Sequence, residues 1–322
     1  MSRTGGKPLL LVMVFLSEEH QKLVAQYYDM LYAPAPGQRD DRSGAAPLIA
    51  QHGGDIRVVL TNGAHGILPQ EIDAMPRLEL ISSLGVGYEN IAVAHARQRG
   101  ILVSNAAGTN EECVADHAMM LLLGAARRLP YLNAGVRRGL WRDQIARPPQ
   151  VSFKRMGVLG LGAIGRAVAH RALAFHMEVG YHTRTRRADS PHRYFESVLE
   201  LARWSDFLVV AAPGGAGTQH IINDAVMEAL GPQGVLVNIS RGSLVDTKAL
   251  AEALRTGTLL AAGLDVYEGE PAPPSPLLEL ENAILTPHIA GLSPEAIHAS
   301  VVRFLENAEA HFAGRPLVTP VG

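Results

Sequence analysis

The sequence predicts an α/β protein built on two open parallel sheets, the larger one doubly wound. Three observations predict it. A glycine-rich loop, Gly160-Leu-Gly-Ala-Ile-Gly165, closes one apolar run and opens a helical one. From residue 156 onward six short apolar runs alternate with helical segments, and connections of that length imply crossovers between parallel strands. At 322 residues the chain is longer than one hydrophobic core usually grows, so a second domain is expected.

Taken in order, the first hundred residues alternate apolar runs at 9–15, 58–60, 78–82 and 101–103 with helical stretches, a small βα layer structure. The first run is too short to span a bilayer and has no small-residue cleavage site before the next polar stretch, so it reads as a core strand. Residues 34–47 are rich in Pro, Gly and charge and read as a surface loop. A long helix should begin near Thr109 or Asn110, with Glu111 and Glu112 in its first turn. Over 114–126 it is apolar nearly all round, which predicts burial between domains or at a subunit interface. Within it, Asp116-His117 reads first as a satisfied buried polar pair, with a functional role left open.

The second series of strands is expected at 156–160, 178–182, 207–211, 235–239, 260–264 and 283–285, with a helix over 163–175 after the first. Six strands is the full count of a doubly wound nucleotide domain. The last helix is punctuated by Ser293 as cap, Pro294 in its first turn and Gly314 past its end.

Composition narrows the function classes. A formal charge of −2 with no long basic run gives no reason to expect nucleic acid or an anionic membrane. One cysteine, Cys113, excludes an internal disulfide, reads as a structural thiol, and suits a reducing compartment, so a cytoplasmic location is expected. The histidines, His52, His65 and His95 among them, show no metal-like spacing.

The glycine loop has the spacing of a dinucleotide site of Rossmann type and stands in the strand–turn–helix context that makes this spacing specific. Gly160 allows the tight turn, Gly162 lets the backbone approach a pyrophosphate, and Gly165 lets helix and strand pack closely. The helix start at Ala163 and Ile164 then faces the phosphates. An acidic residue at the end of the next strand would serve NAD by bonding the ribose 2′-hydroxyl. Here that strand ends in His182, followed by Thr183, Arg184, Thr185, Arg186 and Arg187. A hydroxyl and guanidinium groups suit a 2′-phosphate, so NADP(H) is the expected cofactor, with NAD(H) possible; a solvated basic loop is the plainer alternative.

Three ionisable residues follow three successive apolar runs: Arg241, Glu270 and His288. In an open parallel sheet, ligands bind outside the carboxyl ends of the strands. A guanidinium, a carboxylate and an imidazole at that edge can bind an anion and move a proton beside a hydride transfer.

These segments resemble one known family. Gly160–Gly165, Asn238-Ile-Ser-Arg-Gly242, Gly263-Leu-Asp-Val-Tyr-Glu-Gly-Glu-Pro271 and Thr286-Pro-His-Ile-Ala-Gly291 are similar to the D-isomer-specific 2-hydroxyacid dehydrogenases, as are Leu84-Gly-Val-Gly-Tyr-Glu-Asn90 and Pro213-Gly-Gly-Ala-Gly-Thr-Gln-His220. The likeness covers nearly the whole chain and is nearest to the glyoxylate, hydroxypyruvate and hydroxyphenylpyruvate reductases. It implies a Rossmann cofactor domain, 105–290, inserted in a smaller flavodoxin-like substrate domain made of 1–104 and 291–322. It implies a homodimer formed largely through the long helix after Thr109, and NADPH-dependent reduction of a small 2-keto acid to the D-2-hydroxy acid. Carried over, Arg241 binds the substrate's carboxylate and keto oxygen, His288 donates the proton, and Glu270 orients and charges it. The backbone of Val86 and Gly87 receives the carboxylate. Asp265 lies near the nicotinamide, and Pro213, Ile239, Ser240, Arg241, His288 and Gly291 join the cofactor site. Ala212 stands where several members carry threonine, so a side-chain contact is missing there. Substrate choice would fall to Asn62, Gly63, Leu84 and residues of a partner subunit. Two other readings stay open. One is a non-enzymatic NAD(P)H-sensing corepressor, disfavoured because the sequence stops soon after its last helix. The other is a formate dehydrogenase, disfavoured because that group pairs its histidine with glutamine where this chain has Glu270.

Overall fold

A computed structural model describes residues 6–34 and 43–322 and falls into two compact units, Met1–Asn110 with Leu292–Gly322, and Glu111–Gly291. The first unit opens with β1 (Leu9–Val12), α1 (Glu18–Ala25), β2 (Asp29–Tyr32), α2 (Ala45–His52), β3 (Ile56–Thr61), α3 (Pro69–Asp73), β4 (Leu80–Ser83), α4 (Val93–Gln98) and β5 (Leu102–Ser104). Every strand pair in its sheet is parallel, in the order β2-β1-β3-β4-β5, the flavodoxin-like arrangement. Helices on both faces leave the central strands no wet side, and Leu10, Leu11, Val58, Val59 and Ile81 are wholly buried.

The second unit runs α5 (Glu111–Ala126), α6 (Leu129–Arg137), β6 (Arg155–Leu159), α7 (Ala163–Ala174), β7 (Glu178–His182) and β8 (Arg193–Tyr194). It continues through α8 (Val198–Trp204), β9 (Phe207–Val210), α9 (Asp224–Leu230), β10 (Val235–Asn238), α10 (Thr247–Thr256), β11 (Ala261–Leu264) and β12 (Ala283–Leu285). Its parallel sheet has the order β12-β11-β10-β9-β6-β7-β8. The order reverses beside β6, and that switch point opens the crevice in which such sheets bind ligands. Two cores fill it, one under α5 and α7, the other under α8, α9 and α10. The chain then returns to the first unit with α11 (Pro294–Phe312), where the Ser293 hydroxyl caps by accepting the Ala296 N–H at 3.1 Å. No described helix is long and apolar enough to cross a membrane.

Four expectations need correction. A strand, β2, lies where none was predicted, and the two-residue β8 extends the expected six-stranded sheet. Of the predicted loop over 34–47, residues 35–42 lie outside the described residues, and its end is the first turn of α2, where Pro47 is tolerated. Most of the apolar surface of α5 is taken up within its own unit rather than left for a second domain or subunit, with Met120 the large apolar side chain it leaves exposed. The helix packs inside its own unit, so closely that a Cβ on Gly263 would come within 2.8 Å of Leu121 Cβ. Asp116 and His117 are not a pair: Asp116 is exposed and meets Arg171 at 2.7 Å, while the half-buried His117 points the other way.

Candidate active site

Every cofactor and catalytic residue expected from the sequence lies in the second unit, at or just past the carboxyl ends of its strands. After β6, Gly160 takes φ +96°, and a Cβ there would sit 2.6 Å from the Ala212 nitrogen. A Cβ on Gly165 would collide with the Gly160 carbonyl, so glycine is the residue that lets α7 start this close to the strand. Gly162 is the N-cap of α7 and a Cβ on it would meet nothing within 4 Å. The open cradle and a helix start without a side-chain cap fit a pyrophosphate, whose charge the first-turn N–H groups would take.

At the end of β7, His182 is fixed by its Nδ1 against the Phe195 carbonyl at 2.9 Å and stacks on Tyr194. The Thr183 hydroxyl donates to the Thr185 carbonyl at 2.8 Å, and Arg184 is exposed. Arg166 and Asp189 pair at 2.8 Å nearby, which leaves this edge with more cations than anions. Pro213 follows Ala212, whose carbonyl accepts the Ser240 hydroxyl.

The turn after β10 is tied by Asn238, which accepts from the Ser240 N–H at 3.1 Å and donates to the Arg241 carbonyl at 2.9 Å. Ile239 and Ser240 are buried in it. The turn leaves Arg241 extended, its Nη1 on the Ser240 carbonyl at 2.7 Å. After β11, Glu270 folds back so that Oε1 accepts the Tyr267 N–H at 2.6 Å, while Oε2 meets His288 Nδ1, also at 2.6 Å. Asp265 is 1% exposed and organises the loop after β12. Its Oδ1 accepts the Thr286 hydroxyl at 2.6 Å and the Ile289 N–H at 3.0 Å, its Oδ2 accepts the Ala290 N–H at 2.8 Å, and its carbonyl takes the His288 N–H at 2.8 Å. That holds His288 at φ +51°, a conformation a histidine keeps only where its surroundings impose it. His117, on α5, props the same loop through Thr286 Oγ1 at 2.9 Å.

The electrostatics follow from these contacts. The bond to Glu270 raises the His288 pKa, against partial burial and the opposing charge of Arg241. Burial pushes Glu270 up, yet the bonds from His288 and the Tyr267 N–H hold it below the ordinary carboxylate range. Tyr267 itself is pushed up to about 12 by burial and by Asp265, so it stays a neutral donor to the Leu264 and Thr286 carbonyls. Arg241, Glu270 and His288 are therefore near enough to act on one another's charge, and among the described residues nothing accepts from or donates to His288 Nε2. Gly291 closes the second unit. Val86 and Gly87 belong to the first unit, in the loop after β4. Their carbonyls take the Asn105 amide at 2.8 Å and the Ser83 hydroxyl at 2.7 Å, while no described residue accepts their N–H groups. No metal-like cluster of side chains occurs among the described residues.

The sequence pointed to His117 only as half of a buried pair, and Tyr267 and the Glu268–His220 pair beside Glu270 were not singled out at all. Tyr267 and Glu268 lie inside a quoted motif, and their positions three and two residues before Glu270 were the available signal.

Comparison with known proteins agrees with this arrangement. Residues 119–290 match the model of the D-isomer specific 2-hydroxyacid dehydrogenase NAD binding domain. Hydroxyphenylpyruvate reductase of Plectranthus scutellarioides is 40% identical over 94% of this chain and 94% of its own. A 2-hydroxyacid dehydrogenase from Ketogulonicigenium vulgare superposes with a TM-score of 0.88 at 37% identity, covering 98% of both chains. An NADPH-dependent glyoxylate/hydroxypyruvate reductase from Sinorhizobium meliloti, solved with NADP and malonate, has a TM-score of 0.87 at 35% identity, covering 98% of this chain and 97% of that one.

Proposed function

This chain belongs to the D-isomer-specific 2-hydroxyacid dehydrogenase family and is an oxidoreductase, and from that premise we propose that it reduces a small 2-keto acid, such as glyoxylate or hydroxypyruvate, to the D-2-hydroxy acid with NADPH. The observation that carries the reading is the His288–Glu270 bond with Nε2 of the histidine left over. A bound nicotinamide supplies the hydride; the remaining work belongs to side chains. Hydride arrival at a 2-keto carbon builds negative charge on the carbonyl oxygen. Arg241 pairs with the substrate's carboxylate and that oxygen, through a planar fork suited to both. His288, kept protonated by Glu270, gives its Nε2 proton to the oxygen. Asp265 acts from below, fixing the loop on which His288 stands.

Residues Gly160, Gly162, Ala163, Ile164 and Gly165 would hold the pyrophosphate, and His182, Thr183 and Arg184 the 2′-phosphate. The preference for NADPH rests on Arg184, exposed at the end of β7 where an acid would serve NAD. Initial rates with NADPH and NADH against glyoxylate, hydroxypyruvate and hydroxyphenylpyruvate test the whole reading. Arg184→Ala should raise KM for NADPH far more than for NADH, and a wild type that prefers NADH sinks the assignment.

A homodimer is part of the same proposal, on different grounds from those the sequence suggested. One exposed apolar patch lies just past α5, where Leu129, Val136 and Trp141 are each more than half exposed. Leu132, Leu140 and Ile145 extend it into an apolar hollow of about 350 Å³. A second copy covering this arm would remove it from water, and light scattering showing a monomer at micromolar concentration would end the idea. Cys113 donates to the Ala290 carbonyl at 2.9 Å and is free, which supports a reducing compartment such as the cytoplasm.

A further inference from the structure

Glu270 is not alone on its loop in taking a histidine. Two residues earlier, Glu268 Oε1 meets Nε2 of His220 at 2.6 Å, while Oε2 accepts the Thr247 N–H at 3.0 Å. His220 ends the segment 213–220. Its N–H donates to the Ser243 carbonyl at 2.8 Å, its Nδ1 faces Asp246 Oδ2 at 3.7 Å, and its φ is +48°. A residue with a side chain keeps that conformation only where its neighbours hold it.

These contacts flank the chain segment that begins at Arg241. On one side lies Gly214, where a Cβ would come within 3.1 Å of Arg241 Cγ. On the other, Gly242 is pressed against the Tyr267 carbonyl and the Glu268 nitrogen, with no room for a side chain. The segment 241–247 therefore runs between 213–220 and 267–268, and the His220–Glu268 bond joins the outer two across it. We infer that His220 and Glu268 form a clamp around Arg241, with His220 a positioning residue that sets the guanidinium for anion binding without touching substrate. This rests on Arg241 as the group that binds the substrate's carboxylate.

The charged groups facing the His220 ring are Glu268 and Asp246, both carboxylates. The bond from Glu268 raises the His220 pKa, burial opposes it, and Asp246 adds to the rise. The imidazolium that closes the clamp is lost only as pH climbs through that raised value, and the grip on Arg241 should slacken there.

Steady-state kinetics of the full chain with NADPH and glyoxylate test this. His220→Gln and Glu268→Gln should each raise KM for glyoxylate roughly tenfold or more, with a much smaller fall in kcat, because a group displaced by a fraction of an ångström loses most of its fit. The double variant should be no worse than either single one, since each removes the same bond. In the wild type KM should climb with pH through the His220 titration, and in His220→Gln that climb should vanish. Unchanged KM in both single variants overturns the clamp, as does additivity in the double variant. Ring ¹H–¹⁵N spectra of His220 give a readout that needs no activity: its titration midpoint should lie higher in the wild type than in Glu268→Gln, and equal midpoints overturn the pairing. A wild type that pairs His220 in the spectra but reduces no 2-keto acid overturns the reductase reading on which the positioning role depends.

Discussion

His288–Glu270 and His220–Glu268 are the same bond made twice, imidazole to carboxylate at 2.6 Å, from two residues separated only by Gly269. They differ in what the histidine does with its other nitrogen. His220 meets Glu268 through Nε2 and turns Nδ1 toward Asp246, so both ring nitrogens face carboxylates. His288 meets Glu270 through Nδ1, and no described residue takes its Nε2. An imidazolium with one bonded nitrogen and the other left over can give up that second proton; one bonded to a carboxylate and facing another is better suited to tying loops together. A short ion pair thus says little about role until each ring nitrogen is accounted for.

The comparison breaks most plainly at the rate of reduction. His288→Ala should lose roughly 10²–10⁴-fold in kcat, the usual contribution of a positioned acid, with NADPH affinity little changed. His220→Ala should act mainly on KM. If the two losses in kcat are alike, the histidines are not divided as the ring nitrogens suggest.

A finer separation lies in the pH profile. Reduction consumes a proton, so kcat should fall as pH rises through the raised His288 pKa. Glu270→Gln removes the carboxylate that raises it, and the fall should move to lower pH. Glu268→Gln removes an equally short bond yet should leave the fall where it was. A shift in the second variant, or none in the first, means another group supplies the proton.

Local signals carried most of the architecture. The glycine spacing is a property of one turn, and apolar runs reveal buried strands; 178–182 and 283–285 came out to the residue. β2 escaped because it is an edge strand with an exposed Asp29 and half-buried neighbours, so its period is weak. The start of α2 hid behind Pro47, which reads as a breaker but is harmless in a first turn. Arg241, Glu270 and His288 could be named because each follows a strand. Their supports could not: His117 is 169 residues from Thr286, and His220 is 48 from Glu268. Such contacts exist only once strand order brings distant loops to one edge. The apolar α5 teaches the converse, since an apolar helix looks alike in sequence whether the neighbours that cover it come from the same unit or from another chain.

The smallest expected effect concerns stability, and its pH dependence has a definite sign. Glu268's bond raises the pKa of His220 in the folded chain, burial notwithstanding. A group so raised contributes stability that is full below its unfolded pKa, about 6.5, and is lost as pH rises through the folded value. Glu268 runs the other way. Burial pushes its carboxyl up, but the bonds from His220 and Thr247 hold it below the ordinary range. Its contribution is present above the unfolded carboxylate pKa and disappears as pH falls through the lowered one. The wild type's advantage over Glu268→Gln should therefore peak between the two titrations, near pH 5–6, and shrink toward both extremes. With both side chains about a third exposed, solvent screening limits the peak to about 0–1 kcal/mol, roughly a degree or two in Tm. Thermal denaturation of both proteins at pH 3, 5.5 and 9.5 measures it. An advantage that persists undiminished at pH 9.5 would mean that a neutral hydrogen bond, not an ion pair, ties these loops.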